Sequence, residues 1–126
     1  MDAGRLDRRL SFEAPRQIED GNGNYVDGFV MQFTQAAAVA HMRGSETVVA
    51  SRLQGLRPAI VTIRASVQAR AIGSDWRIVD PRDGVDEFGK PRTAYQVKEP
   101  PRHPVDKSGR ENRALLEMLV VGGVAA

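Results

Sequence analysis

The chain has 126 residues, 41% hydrophobic and 27% charged, and its 18 basic and 16 acidic side chains leave a formal net charge of +2. That length fits one domain, residues 1–126, burying roughly two-thirds of its unfolded surface, and the charge is too balanced for a dedicated nucleic-acid binder. The lack of cysteine excludes disulfides and thiolate metal sites and fits a cytoplasmic product; charges among the first ten residues argue against a secretory signal, and the uncharged run Met118 to Ala126 is too short to span a bilayer.

The first predicted element is a strand opening at Gly4. Leu6, Leu10 and Phe12 share one parity while Asp7, Arg9, Ser11 and Glu13 take the other, the alternation of a half-buried strand; Arg8 is the polar intruder on the apolar side. Pro15 cannot donate to a ladder, so the strand is expected to end about there. Asp20 to Asn24 reads as a turn, because Gly21, Gly23 and the asparagines tolerate positive φ. A second strand runs from Phe29 to Met42; alanine favours helix, but Phe29, Met31 and Phe33 already alternate and no cap precedes Ala36–Ala40.

Between the second and third strands an excursion is expected. Ser45 suits a helix N-cap and Glu46 the positive end of the helix dipole, with Gly55 as the stop. The β-branched run Thr47-Val48-Val49 weakens that helix, which is predicted to be short, from about Ser45 to Gln54, and held by outside contacts. Ala59 to Ser66 is the clearest strand. Trp76–Val79 is another, with Ala94–Lys98 as its hairpin partner across the turn-rich Asp80–Arg92 connection. Pro100 to Pro104 is irregular by necessity. The last segment has two readings. Ser108 and Glu111 carry capping-box spacing before a helical stripe of Leu115, Met118 and Leu119, whereas Leu116, Met118 and Val120 alternate as a closing strand, the favoured reading. No internal repeat is visible.

Catalytic and ligand-binding patterns are missing. His41 and His103 stand alone, without partners at metal-ligand spacing. Asp20-Gly21-Asn22-Gly23-Asn24 begins like a calcium loop, but the sixth position is Tyr25 and the twelfth Met31, where glycine and glutamate are needed. The same glycines fail as a dinucleotide fingerprint, since Val26 takes the third position and no helix follows. Asp75, Asp80, Asp83, Asp86 and Glu87 are interleaved with Arg77, Arg82, Lys90 and Arg92, which reads as a solvated hairpin tip rather than an acid–base site. No serine has a nucleophile signature. The expectation is a non-enzyme without cofactor or metal.

The order of these segments resembles the head-tail joining proteins of tailed bacteriophages, also known as head-closure, stopper or head-tail adaptor proteins. The residues that carry the likeness are Ala3-Gly4-Arg5-Leu6 with Arg9-Leu10, Asp20-Gly21-Asn22-Gly23, Gly44-Ser45-Glu46, Val61-Thr62-Ile63-Arg64, Asp75-Trp76-Arg77-Ile78 and the closing Leu115 to Ala125. The resemblance implies a mainly β protein, a small antiparallel β-barrel with one short helix or loop excursion between the second and third strands. It implies a structural connector of a tailed phage or phage-like particle, such as a gene transfer agent, assembled in the bacterial cytoplasm. Copies would form a ring, a hexamer, that closes the DNA-filled head below the portal or adaptor protein and docks a tail terminator or tail tube protein, with no membrane involved. Arg43, Arg52 and Arg57, opposed only by Glu46, make the excursion net positive. These four residues are the candidates for contact with packaged DNA phosphates or with acidic residues of a neighbouring subunit.

A reading of a different class is an OB- or SH3-like barrel binding single-stranded nucleic acid. That function needs exposed aromatics beside a basic groove, whereas aromatics are 6% of the chain and Phe12, Phe33, Trp76 and Tyr95 fall at positions expected to be buried.

Overall fold

Six strands close into one antiparallel barrel in a computed structural model that describes residues 6–42 and 56–122. In chain order they are β1 (Arg8–Glu19), β2 (Tyr25–His41), β3 (Arg57–Arg64), β4 (Arg77–Val79), β5 (Ala94–Val97) and β6 (Leu115–Gly122), joined around the barrel as β1-β2-β3-β6-β5-β4 and back to β1. A four-residue helix, α1 (Val67–Arg70), lies between β3 and β4, and a 3-10 turn spans Pro81–Asp83. The predicted helix from Ser45 to Gln54 lies outside the described residues.

The alternation seen in the sequence is what fills the barrel. Leu10, Phe12 and Ala14 of β1 point inward with Val61 and Ile63 of β3 and Met118 and Val120 of β6, all buried. Each large side chain so buried contributes roughly 1.5–3 kcal/mol relative to an exposed one. Phe12 and Phe33 stack with ring centroids 4.9 Å apart and planes at 10°, and Trp76 meets Phe33 at 6.3 Å and 54°. Ala69 of α1 and Ile72 just beyond it join the same core, so the small helix stoppers one end. Ser66 starts it as N-cap, its hydroxyl accepting from the Ala69 amide at 3.0 Å. Residues 108–121 resolve in favour of the strand: β6 pairs with β3 from Leu115 to Gly122, and Leu116, Met118 and Val120 share its inner face.

Several strand boundaries shift from expectation: β1 opens at Arg8 rather than Gly4 and β3 spans Arg57–Arg64 rather than Ala59–Ser66, and two further shifts share one cause. β1 does not stop near Pro15 but continues to Glu19, and β2 starts at Tyr25 rather than Phe29. The reason is topological. β1 pairs with β4 only from Ser11 to Glu13, and β2 pairs with β3 only from Ala37 to His41. Beyond those points β1 and β2 pair with each other alone, as a two-stranded arm from Ala14↔Val30 to Glu19↔Tyr25, where proline is tolerated because one edge has no partner.

A β-bulge marks the root of the arm. The register passes from Phe12↔Phe33 to Glu13↔Met31, leaving Gln32 as the extra residue. The extra residue turns Met31 outward while Phe33 stays in the core. Arg77 clamps this root, its Nε donating to Glu13 Oε1 at 2.5 Å and its guanidinium lying 4.4 Å from the centre of the Phe29 ring.

One local pattern does repeat. Val85-Asp86-Glu87-Phe88-Gly89-Lys90 and Val105-Asp106-Lys107-Ser108-Gly109-Arg110 fold into the same miniature hairpin. In each, the aspartate amide donates to the carbonyl four residues on, and its Oδ1 accepts the amides two and four residues on. Asp20 builds the same turn at the tip of the arm. Gly23, Gly89 and Gly109 occupy the equivalent position with φ of 83°, 77° and 85°, a conformation glycine adopts without steric cost.

Candidate functional site

Because every neighbouring pair is antiparallel, β1, β3 and β5 run one way and β2, β4 and β6 the other. The barrel therefore has two distinct ends. The arm, the α1 connection and the 98–114 loop lie at one end. The first residue of β1, the last of β6, the 80–93 loop and both roots of the β2–β3 excursion lie at the other, the far end. The Met42 amide donates to the Pro58 carbonyl at 3.1 Å, which ties those two roots together.

Of the four candidate residues, Arg57 is the first residue of β3, exposed at the far end and paired with Gly122. Arg43, Glu46 and Arg52 lie outside the described residues. Around Arg57 the far end gathers charges that sequence reasoning had not joined. Arg8, the intruder of the first strand, points to the carboxylate of Asp80, with Nη1 3.7 Å from Oδ2. Asp80 is 1% exposed, which overturns its place in a solvated hairpin tip. It caps the 3-10 turn by accepting the Arg82 amide at 3.1 Å, and Arg82 Nε lies 3.5 Å away. Asp83 accepts from the Thr93 hydroxyl at 2.5 Å but stays exposed, so Asp80 is the one member of the acidic cluster that is buried. The legible signal for Asp80 was its position before Pro81, an N-cap followed by proline at the first helical position.

Tyr95 forms the floor of this end. Burial pushes its phenol above its ordinary pKa, with Asp80 and Asp83 adding to the rise and Arg8 and Arg57 opposing it. Gly122 leaves room for the Tyr95 ring, two of whose carbons would lie 3.1 Å from any Cβ placed there. A rigid apolar floor thus carries exposed guanidinium groups at its rim. Such an arrangement presents positive charge to solvent, and among the described residues it offers no nucleophile–base pair. Among the described residues no group of three or more His, Asp or Glu side chains is placed to hold a metal ion. His103 is structural, its Nδ1–H donating to the Leu115 carbonyl at 2.8 Å.

The aromatic side chains bear on the single-stranded nucleic-acid reading. Phe12, Phe33, Trp76 and Tyr95 are buried, as expected, and Arg77 covers Phe29. Tyr25 and Phe88 are exposed, but Tyr25 is near the arm tip and Phe88 is on the far-end loop. Opposite ends of a barrel do not make one stacking surface.

Comparison with known proteins gives a family and a fold. Residues 1–117 match the phage head completion protein family. No curated protein sequence matches the chain. Among solved structures, the solution structure of protein SF1141 from Shigella flexneri 2a is similar, at 21% identity over 100% of both chains with a TM-score of 0.59. A chain from the virion of a native gene transfer agent particle is similar at 18% identity, over 95% of this chain and 96% of that one, with a TM-score of 0.54. At these identities the two structures establish a shared fold.

Proposed function

The chain belongs to the phage head completion protein family, and on that premise we propose that copies of it assemble as a ring, a hexamer, that closes a DNA-filled head and joins it to a tail. The ring sits below the portal or adaptor protein and presents a docking surface to a tail terminator or tail tube protein. The particle is a tailed phage or a phage-like one such as a gene transfer agent, assembled in the bacterial cytoplasm. The family match carries the reading, since residues 1–117 take in all of the barrel up to the third residue of β6. Membership is in a structural family. No helix among the described residues is long and apolar enough to cross a membrane.

The far end is the side assigned to charge contacts. Arg57, with Arg43, Arg52 and Glu46 of the adjoining excursion, meets packaged DNA or acidic groups of the next subunit. Contacts to phosphate would be independent of base sequence and weakened by salt. The lack of a base-stacking surface and the presence of a closed, well-filled barrel suit a connector.

Deleting the gene tests this reading. The expected product is heads that package DNA but neither keep it nor carry tails, with free tails accumulating. Tailed, infectious or transfer-competent particles from the deletion strain would overturn it.

A further inference from the structure

The β1–β2 arm carries two unpaired edges on opposite sides of one ribbon. Among the described residues, the outer edge of β1 from Ala14 to Glu19 has no strand beside it, and neither has that of β2 from Tyr25 to Val30. The orientation of the free backbone groups follows from the turn. The Asp20 amide donates to the Asn24 carbonyl at 2.9 Å, and antiparallel pairs alternate between bonded and non-bonded. Glu19↔Tyr25, Gln17↔Asp27 and Pro15↔Phe29 are therefore the pairs whose backbone groups point outward.

The two edges are guarded unequally. Pro15 removes one outward donor at the base of the β1 edge. Short of the bulge at Gln32, the β2 edge is little protected: from Tyr25 to Met31 there is no proline or lysine, and its one charge, Asp27, is engaged by the Gln17 side-chain amide. One face of the ribbon also exposes Ile18 (38%), Val26 (50%) and Val30 (42%). A two-stranded ribbon with bare edges and an apolar face is marginal in water by itself.

We propose that arms of neighbouring copies pair edge to edge, the β2 edge of one copy against the β1 edge of the next, into a continuous β-collar at one end of the ring. The occupant is a second copy of this chain because the two free edges match. They are equal in length, antiparallel in direction, and on opposite sides of the same ribbon. Rotation about an axis along the ribbon brings one against the other, and repetition of that step closes a ring, the property of a heterologous contact. A partner of another kind would use one edge and leave the other bare. This inference rests on the ring reading above.

The absence of cysteine gives a clean test. Rotation about the ribbon axis keeps height, so Asp27 of one copy comes opposite Gln17 of its neighbour. Gln17→Cys and Asp27→Cys chains are made separately and co-expressed in the deletion strain, and the particles are oxidised. Disulfide-linked dimers in the mixture, and none with either chain alone, are expected. Linkage within one variant alone, or tailed particles without linkage, would overturn the collar. As a second variant, Val26→Lys with Val30→Lys should fold normally by circular dichroism and lose both self-association and tailed particles. Self-association retained with tails lost would assign the arm to a different virion protein, and full activity would also reject the proposal. Exposed Val67→Lys on α1 serves as the unaffected control. Failure of the head-completion reading would be seen separately, as tailed particles in the deletion strain, and cross-linking of concentrated protein would still report on the collar.

Discussion

The guanidinium of Arg8 approaches the buried carboxylate of Asp80 to 3.7 Å where β1 begins and β4 has just ended. This contact turns the one irregularity in the first strand's alternation into the closure of a barrel end. Arg8 has inward parity, but at the rim its chain can lie along the apolar interior while its charge reaches water and Asp80. Asp80 in turn orders the start of the 80–93 loop through the Arg82 amide.

Asp80→Ala is expected to cost about 2 kcal/mol, through loss of a cap and of the carboxylate that Arg8 and Arg82 share. Arg8→Ala should cost less than about 1 kcal/mol, because Arg8 is more than a third exposed and solvent screens its pairing. Urea unfolding reads both as midpoint shifts at constant slope. Equal losses would show that packing of the Arg8 chain, not the cap, dominates this end.

Phe12→Ala should be the most damaging change in the arm-bearing strands, costing about 3–5 kcal/mol, because it empties the barrel centre and unstacks Phe33. Ile18→Ala in the same strand should shift stability of the isolated subunit by only about 0.5 kcal/mol, since the arm stands outside the core. Thermal melts followed by Trp76 fluorescence would separate the two.

Much of the barrel was legible because alternation is enforced wherever one face is buried. The parities of β1 and β3, the β4–β5 hairpin and the favoured reading of β6 all follow from that rule. It fails where a strand leaves the core. Pro15 lies within β1 because its edge has no partner, and the bulge at Gln32 breaks the parity that links Met31 to Phe33. The helix α1 was missed because its four residues leave no periodic stripe; Ser66 was its only signal. Of the candidate site, Arg57, read in the sequence as the end of the excursion, is the first residue of β3, and Asp80 was misread. Its buried carboxylate faces Arg8, more than seventy positions earlier in the chain.

Acid should loosen the two loop turns ahead of the barrel. The Lys90 amide holds the Asp86 carboxyl below its ordinary range, helped by the Phe88 amide and the charges of Arg92 and Lys90. The Ser108 hydroxyl, followed by the Arg110 amide, does the same for Asp106. A lowered folded value means that the turn's contribution is fully present above the unfolded carboxylate pKa of roughly 4. It is lost as pH falls through the lower, folded value. Amide resonances of Phe88, Lys90, Ser108 and Arg110 should titrate together with their aspartates while that of Val61 stays fixed. Midpoints above the ordinary carboxylate range would contradict this account.

Thr62→Val is expected to stabilise the protein by about 1 kcal/mol. Thr62 is buried on β3 between Ala38 and Glu117, and its hydroxyl has no hydrogen-bond partner among the described residues. An unsatisfied buried hydroxyl is a cost that a methyl group of similar shape removes. Loss of stability on this exchange would show that the hydroxyl is bonded in solution.

Arg57 allows the two proposed contacts of the far end to be told apart. It is exposed at the start of β3, so Arg57→Glu should change subunit stability by no more than about 0.5 kcal/mol. Loss of DNA retention or of tail joining in that variant would then report an interface and not a folding defect. Arg57→Lys separates the partners. Lysine remains a point charge for phosphate, but it lacks the planar fork that pairs with a carboxylate. If Arg57 faces DNA, the lysine variant should retain particle yield and the glutamate variant should lose it, with the gap from the parent protein narrowing as salt rises. If Arg57 meets an acidic residue of the next subunit, both variants should lose joined particles. Normal particle yield with Arg57→Glu would remove Arg57 from the site altogether.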